Sequence, residues 1–218
     1  MLGDVLVGRG VAFTPAGVRF ASPRLVKDMK DVMLEPSDSP EVVYEVYRDV
    51  LPTHSYALRV DLTVLKSGLL PDGEYPRTHG HKHPPGPWGR PWPELYCVLK
   101  GRGTFLLHDE ERVYLVEVRE GDVLHVPGEM VHILVNTGDE DMITCNYVSK
   151  LFSSDYEYLR AKRGPAAFLT KDGLVLNKNY NIKEVKACRP VPVDLDELAL
   201  SYSFKPNLEE WLWCKPYS

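Results

Sequence analysis

The chain has 218 residues and a formal net charge of −5 at pH 7, with ordinary proportions of apolar and charged residues. That length is enough for one domain with a substantial core plus extensions, and the weakly acidic balance gives no reason to expect a nucleic-acid partner. The sequence contains no run of 18 apolar residues and no signal-peptide pattern at Met1, so nothing points to a membrane or to secretion.

Residues 1–40 read as an N-terminal arm. Val11–Phe13 and Val18–Phe20 form a hairpin around Pro15-Ala16-Gly17. After Ser22-Pro23, the i, i+4 spacing of Leu25, Met29 and Met33 predicts a short helix over Arg24 to Met33. The arm either packs on its own domain or pairs with another subunit. Residues 41–178 read as the central domain and are mostly strand-like over 41–150, in runs Glu41 to Tyr47, Tyr56 to Leu65, Glu94 to Leu99, Gly103 to His108, Val113 to Val118, Val123 to Pro127, Val131 to Asn136 and Met142 to Val148. Short strands at regular spacing with turns between them predict an all-β barrel or sandwich. Asp155 to Tyr158 reads as a short helix or loop, and Leu174 to Leu176 as a last strand. In the extension 179–218, Val193 to Leu198 and Asn207 to Trp213 read as short helices, the second with Asn207 as N-cap. Cys97, Cys145, Cys188 and Cys214 lack close pairing or metal-finger spacing and read as thiols in a reducing cytoplasm.

The chemistry concentrates between Thr78 and Asn136. Side chains at i and i+2 of a strand share a face, so His81 and His83 can present two imidazoles to one point. Glu94 opens a strand-like run, with Tyr96 on the same face. Gly121-Asp122 turns the chain into a strand that Pro127-Gly128 ends, and His132 lies on the next strand with Leu134 on its face. Three neutral nitrogens and one carboxylate suit one borderline divalent ion, with Fe2+ first and Mn2+, Ni2+, Co2+ or Zn2+ as alternatives. Four protein ligands leave open positions on an octahedral ion, an arrangement suited to catalysis. His54, His79, His108 and His125 lie off these positions and read as structural. Trp88 and Trp92, in the proline-rich stretch 84–93, read as packing anchors in preference to a lid.

The motifs Thr78-His79-Gly80-His81-Lys82-His83, Pro93-Glu94-Leu95-Tyr96, Leu99-Lys100-Gly101-Arg102-Gly103, Val126-Pro127, His132, Val135-Asn136-Thr137-Gly138-Asp139-Glu140 and Asp155-Tyr156 resemble the cupin superfamily. Within it they are most similar to the cupin-type glucose-6-phosphate isomerases of archaea and some bacteria. The resemblance covers about residues 40 to 178. It implies an antiparallel double-stranded β-helix (jelly-roll) barrel, a cytoplasmic homodimer, a phosphosugar substrate, and interconversion of glucose 6-phosphate and fructose 6-phosphate. The implied metal ligands are His81, His83, Glu94 and His132, with Glu94 also the candidate for proton transfer. Thr63, Thr78, Gly80 and Tyr96 are implied to hold the phosphate, and Tyr156 matches a further family tyrosine. The family's tyrosine after the fourth ligand falls, by an ungapped count, at Val148. Tyr147, one residue earlier, is the candidate contact, although a one-residue shift reverses a strand's face. The stretch between His83 and Glu94 is longer than the family's, and Glu129 stands where general cupins often have glycine. A cupin dioxygenase and a non-catalytic sugar-binding cupin are the competing readings.

Overall fold

Alternation of apolar residues along the strands builds two facing sheets, seen in a computed structural model that describes residues 5–8, 10–53, 57–86, 89–191 and 212–216. A small N-terminal sheet comes first, from β1 (Leu6–Gly8), β2 (Val11–Thr14) and β3 (Gly17–Phe20). The chain continues through β4 (Ser22–Leu25), β5 (Val42–Tyr47), β6 (Leu58–Leu65), β7 (Glu94–Lys100), β8 (Arg102–His108) and β9 (Arg112–Arg119). It ends with β10 (Val123–Val126), β11 (Val131–Val135), β12 (Met142–Ser149), α1 (Glu157–Ala161), β13 (Ala167–Thr170), β14 (Gly173–Leu176), β15 (Glu184–Pro190) and β16 (Leu212–Pro216). One large sheet has the order β10-β7-β12-β6-β5-β4 and the other β11-β8-β9-β15-β16, with every pairing antiparallel except β15 with β9. This is an all-β, jelly-roll arrangement of the kind the alternating pattern predicts.

Side chains from both large sheets, among them Val98, Leu124, Val126, Phe105, Leu107, Val116 and Ile133, meet in the main core. The outer face of the six-stranded sheet is closed separately, by Ala12, Val5 and Val7 of the N-terminal segment against Tyr47, Val60, Leu62 and Cys145. The arm therefore packs on its own domain.

Four sequence expectations change. The helix expected over Arg24 to Met33 is instead β4 followed by a 3-10 helix, Val26–Val32. Arg24 pairs with Tyr44, and Leu25 with Val42, on the open edge of the sheet. Val26, Met29 and Val32 are the buried positions, and their spacing of three is the 3-10 period. The boundary at residue 178 also moves, because β15 adds to β9 as part of the second sheet. Leu212 and Trp213 are strand and not helix, since β16 finds a ladder partner in β15; Val193 to Leu198 and the rest of 207–211 lie outside the described residues. Cys188 and Cys214 stand opposite each other in that ladder and form a disulfide across 26 residues of sequence, whereas Cys97 and Cys145 are free thiols.

His108 and His125 are buried and bear out the structural reading. Burial lowers each to about 4. Their unfolded values lie near 6.5, so unfolding takes up protons between those limits. Stability from these two groups is complete above pH 6.5 and is lost as pH falls toward 4. We expect the thermal midpoint to decline steadily through that window, with His108→Gln showing a shallower decline by differential scanning fluorimetry.

Candidate metal centre

Three different segments deliver the four expected ligands. His81 forms an isolated antiparallel bridge with His132, and Lys82 one with Asp155, so the His81–His83 segment is extended but held by single bridges instead of a full ladder. Glu94 opens β7 opposite Val126, and His132 sits in β11 opposite Leu107. The ligand atoms of His81, His83, Glu94 and His132 all lie within 4.8 Å of one another. Glu94 Oε2 is 3.2 Å from His83 Nε2, 3.2 Å from His132 Nε2 and 3.8 Å from His81 Nε2.

The backbone around the cluster fixes the rings. His83 Nδ1 lies 2.5 Å from the Trp92 carbonyl oxygen and His132 Nδ1 is 3.4 Å from that of Met130. With Nδ1–H donating to a carbonyl, Nε2 keeps its lone pair for the cluster. The proline-rich loop is thus the support for His83. Pro85 bridges Pro91, Gly86 N–H donates to Arg90 O at 2.7 Å, and Trp92 stacks on Phe152 at 6.4 Å. The loop closes over Gly128, where a Cβ would sit 2.5 Å from the Pro91 and Trp92 carbonyl oxygens. Trp92 anchors as expected; Trp88 and His54 lie outside the described residues. Glu129 is exposed. Gly80 holds φ +77°, and a Cβ there would run into Ile133 and lie 2.9 Å from Leu159 Cδ1.

The electrostatics match a cation. Burial first, then repulsion from His132, pushes His81 down to about 3, so its imidazole is neutral and available. Burial opposes the charge on Glu94, yet the close approach of the His132, His81 and His83 imidazoles outweighs it and holds the carboxyl well below its usual range. Glu94 Oε2 and His132 Nε2 are buried with no hydrogen-bond partner. A buried, unpartnered polar atom costs about 1–3 kcal/mol, and a single cation between them would satisfy both. The donor set therefore fits a first-row divalent ion.

One pocket contains most of the remaining expected residues. Thr63, Thr78, Gly80, Tyr96 and Tyr156 line it together with His81, Glu94 and His132. Thr78 Oγ1 accepts the Leu134 N–H at 3.0 Å, leaving its own proton to donate. Burial, then the Glu94 charge, raises Tyr96 well above the ordinary phenol value, so it stays a neutral donor. Tyr156 packs against the His79 and His81 rings at 5.1 and 5.6 Å. Tyr147 is not brought to the pocket. It packs on the outer cluster, while Asn146 and Val148 face the site. The alternation of β12 puts the ungapped position, Val148, on the inner wall.

The structure adds residues that the motifs do not mark. Asn146 Nδ2 donates to Glu94 Oε1, fixing the carboxylate from behind. Arg24, Arg48, Arg59 and Asp61 also line the pocket. The signal was present: Tyr44, Val46 and Arg48 share one face of β5 and its end, and Arg59, Asp61 and Thr63 one face of β6, so polar residues recur at period two.

Known proteins agree with this constellation. A family model described as glucose-6-phosphate isomerase (GPI) matches residues 25–186. A glucose-6-phosphate isomerase of Pyrococcus abyssi is 32% identical over 170 residues, covering 74% of this chain and 84% of the relative. That of Thermococcus litoralis is 28% identical over 166 residues, covering 72% and 85%. Among solved structures, a cupin 2 conserved barrel domain protein from Rhodopseudomonas palustris is similar over 64% of this chain and 79% of that one, at 12% identity and a TM-score of 0.41, too loose a likeness to add weight. The family match spans most of the chain and includes all four clustered side chains, and this chain belongs to the cupin-type glucose-6-phosphate isomerase family.

Proposed function

We propose that the pocket interconverts glucose 6-phosphate and fructose 6-phosphate, with one divalent cation, iron first among the candidates, held by His81, His83, Glu94 and His132. The observation that carries this reading is the convergence of unpartnered Glu94 Oε2 and His132 Nε2 on one point, in a pocket also lined by Thr63, Thr78, Gly80 and Tyr96. When bound, the cation supplies Lewis-acid stabilisation of negative charge developing on substrate oxygen.

The chain's own residues do the rest. The hydroxyls of Thr63, Thr78 and Tyr96 and the Gly80 backbone N–H donate charge-assisted hydrogen bonds to the phosphate. Tyr156 closes the wall beside His81. Glu94 is the carboxylate beside the reacting carbons and moves the proton between C2 and C1 through a cis-enediol. A second reading is favoured by one observation: the Glu94 carboxyl is held well below its usual range and its Oε1 accepts from Asn146, which weakens it as a base. A direct hydrogen shift from C2 to C1 would spare Glu94 that duty. Loss of a C2 label to solvent supports proton transfer, and full retention supports the shift.

The reading is tested by a coupled assay with fructose 6-phosphate on protein stripped with EDTA and then supplied with Fe2+, Mn2+, Ni2+, Co2+ or Zn2+. Turnover should vanish on stripping and return with at least one ion. Full activity in the stripped sample contradicts the cation's role. Oxygen consumption with small organic substrates and no isomerisation would favour the dioxygenase reading.

A further inference from the structure

We infer that Arg24 is the cation that makes this pocket select a phosphorylated sugar, its guanidinium binding the substrate's phosphate dianion beside Thr78 and Gly80. This rests on the isomerase reading for the identity of the sugar. It goes beyond that reading by assigning a residue outside the matched family segment, 25–186.

Three guanidiniums line the pocket, those of Arg24, Arg48 and Arg59. Two are already committed. Arg48 Nη1 lies 2.6 Å and Arg59 Nε 2.8 Å from Oδ2 of Asp61, which is 1% exposed. Arg24 differs. Among the described residues no carboxylate comes within 4.0 Å of it, its Nε is buried with no hydrogen-bond partner, and Asp28 attracts it only as the weakest of several influences. Arg24 as a whole is half-buried, but a buried N–H of a cation left without an acceptor is costly unless something pairs with it. The unmatched Nε is the cationic counterpart of the unmatched Glu94 Oε2 and His132 Nε2 in the same pocket. As those atoms mark a cation site, Arg24 marks an anion site.

Its place in the fold puts it at the phosphate end. Arg24 of β4 stands in register with Tyr44 of β5, and both line the pocket. The Tyr44 phenol oxygen accepts the backbone N–H of His79 at 3.4 Å. The register of Arg24 with Tyr44 and the hydrogen bond from His79 to Tyr44 bring β4 beside the Thr78-His79-Gly80 turn, and Thr78 and Gly80 line the pocket with Arg24. Hydroxyls and one amide orient a phosphate but carry no formal positive charge. A guanidinium adds charge and the fork geometry that matches phosphate oxygens. That addition separates a dianionic hexose phosphate from the neutral hexose.

Arg24→Gln and Arg24→Lys test this. With cation-loaded protein, Arg24→Gln should raise KM for fructose 6-phosphate ~10–100-fold with kcat within about threefold, the signature of lost uniform binding. Arg24→Lys, which keeps the charge but not the fork, should recover part of that loss. A second readout does not need turnover. Inorganic phosphate should raise the thermal midpoint of the wild-type protein and of Tyr147→Phe, and should raise that of Arg24→Gln far less at the same concentration. If no variant or wild type isomerises fructose 6-phosphate, the isomerase reading fails and the phosphate shift still decides the role of Arg24. An Arg24→Gln protein with wild-type KM and wild-type phosphate response overturns the inference, as does a wild-type protein with no phosphate response.

Discussion

Replacing His132 with alanine abolishes divalent-cation binding and isomerase turnover together. His132 is 3% exposed, its Nε2 lies 3.2 Å from Glu94 Oε2, and it is bridged to His81. Removing it deletes one of three imidazoles and leaves Glu94 Oε2 facing a gap. Lewis-acid stabilisation is worth several kcal/mol in the transition state, so turnover should fall by at least ~10³-fold. Cation binding should be undetectable by equilibrium dialysis at concentrations that saturate the wild type. Tyr147→Phe is the control, because Tyr147 packs on the opposite face of β12. Its turnover should stay within about twofold of wild type. A His132→Ala protein that binds the ion normally would mean the four side chains do not act as one site.

The second large effect is on stability. Arg77→Met should destabilise the protein by about 3–5 kcal/mol. Arg77 is 1% exposed, and its Nε donates to Glu74 Oε2 at 2.7 Å, with Glu74 fully buried. Arg77 Nη2 donates to the Val32 carbonyl at 2.5 Å, and Leu34 N–H donates to Glu74 Oε1 at 2.5 Å. The pair thus ties the end of the 3-10 helix to the segment that leads into Thr78 and the first two histidines. Removing the arginine strands a carboxylate in the core. Pairing it with Glu74→Gln should restore only part of the loss, since the Val32 carbonyl still lacks its donor. Urea titration of both variants measures it. A midpoint unchanged in Arg77→Met would show that the buried pair contributes no net stability.

Neither residue of that pair could be singled out from sequence, and the reason is general to the chain. Strands were legible because period-two alternation is imposed by burial on one face. That is why Glu94–Lys100 and Met142–Ser149 match the expected runs to within a residue. The His-x-His spacing and the face of Glu94 were legible for the same reason. What stayed hidden depends on long-range pairing. Leu25, Met29 and Met33 imitate a helix, while the open edge of β5 draws Ser22–Leu25 into the sheet and points Arg24 at the pocket. Cys188 and Cys214 meet only because β16 docks on β15. Tyr147 was displaced by one residue, which in a strand is the whole difference between pocket and outer face. Asn146, between Cys145 and Tyr147, carried no motif, yet it fixes Glu94.

The most direct measurement is anomalous diffraction from crystals grown with Mn2+ and collected near the manganese edge. One strong peak per chain should lie within ligand distance of His81, His83, Glu94 and His132 at once. A peak bound elsewhere, or none in protein that turns over fructose 6-phosphate, would contradict the shared cation on which the chemistry depends.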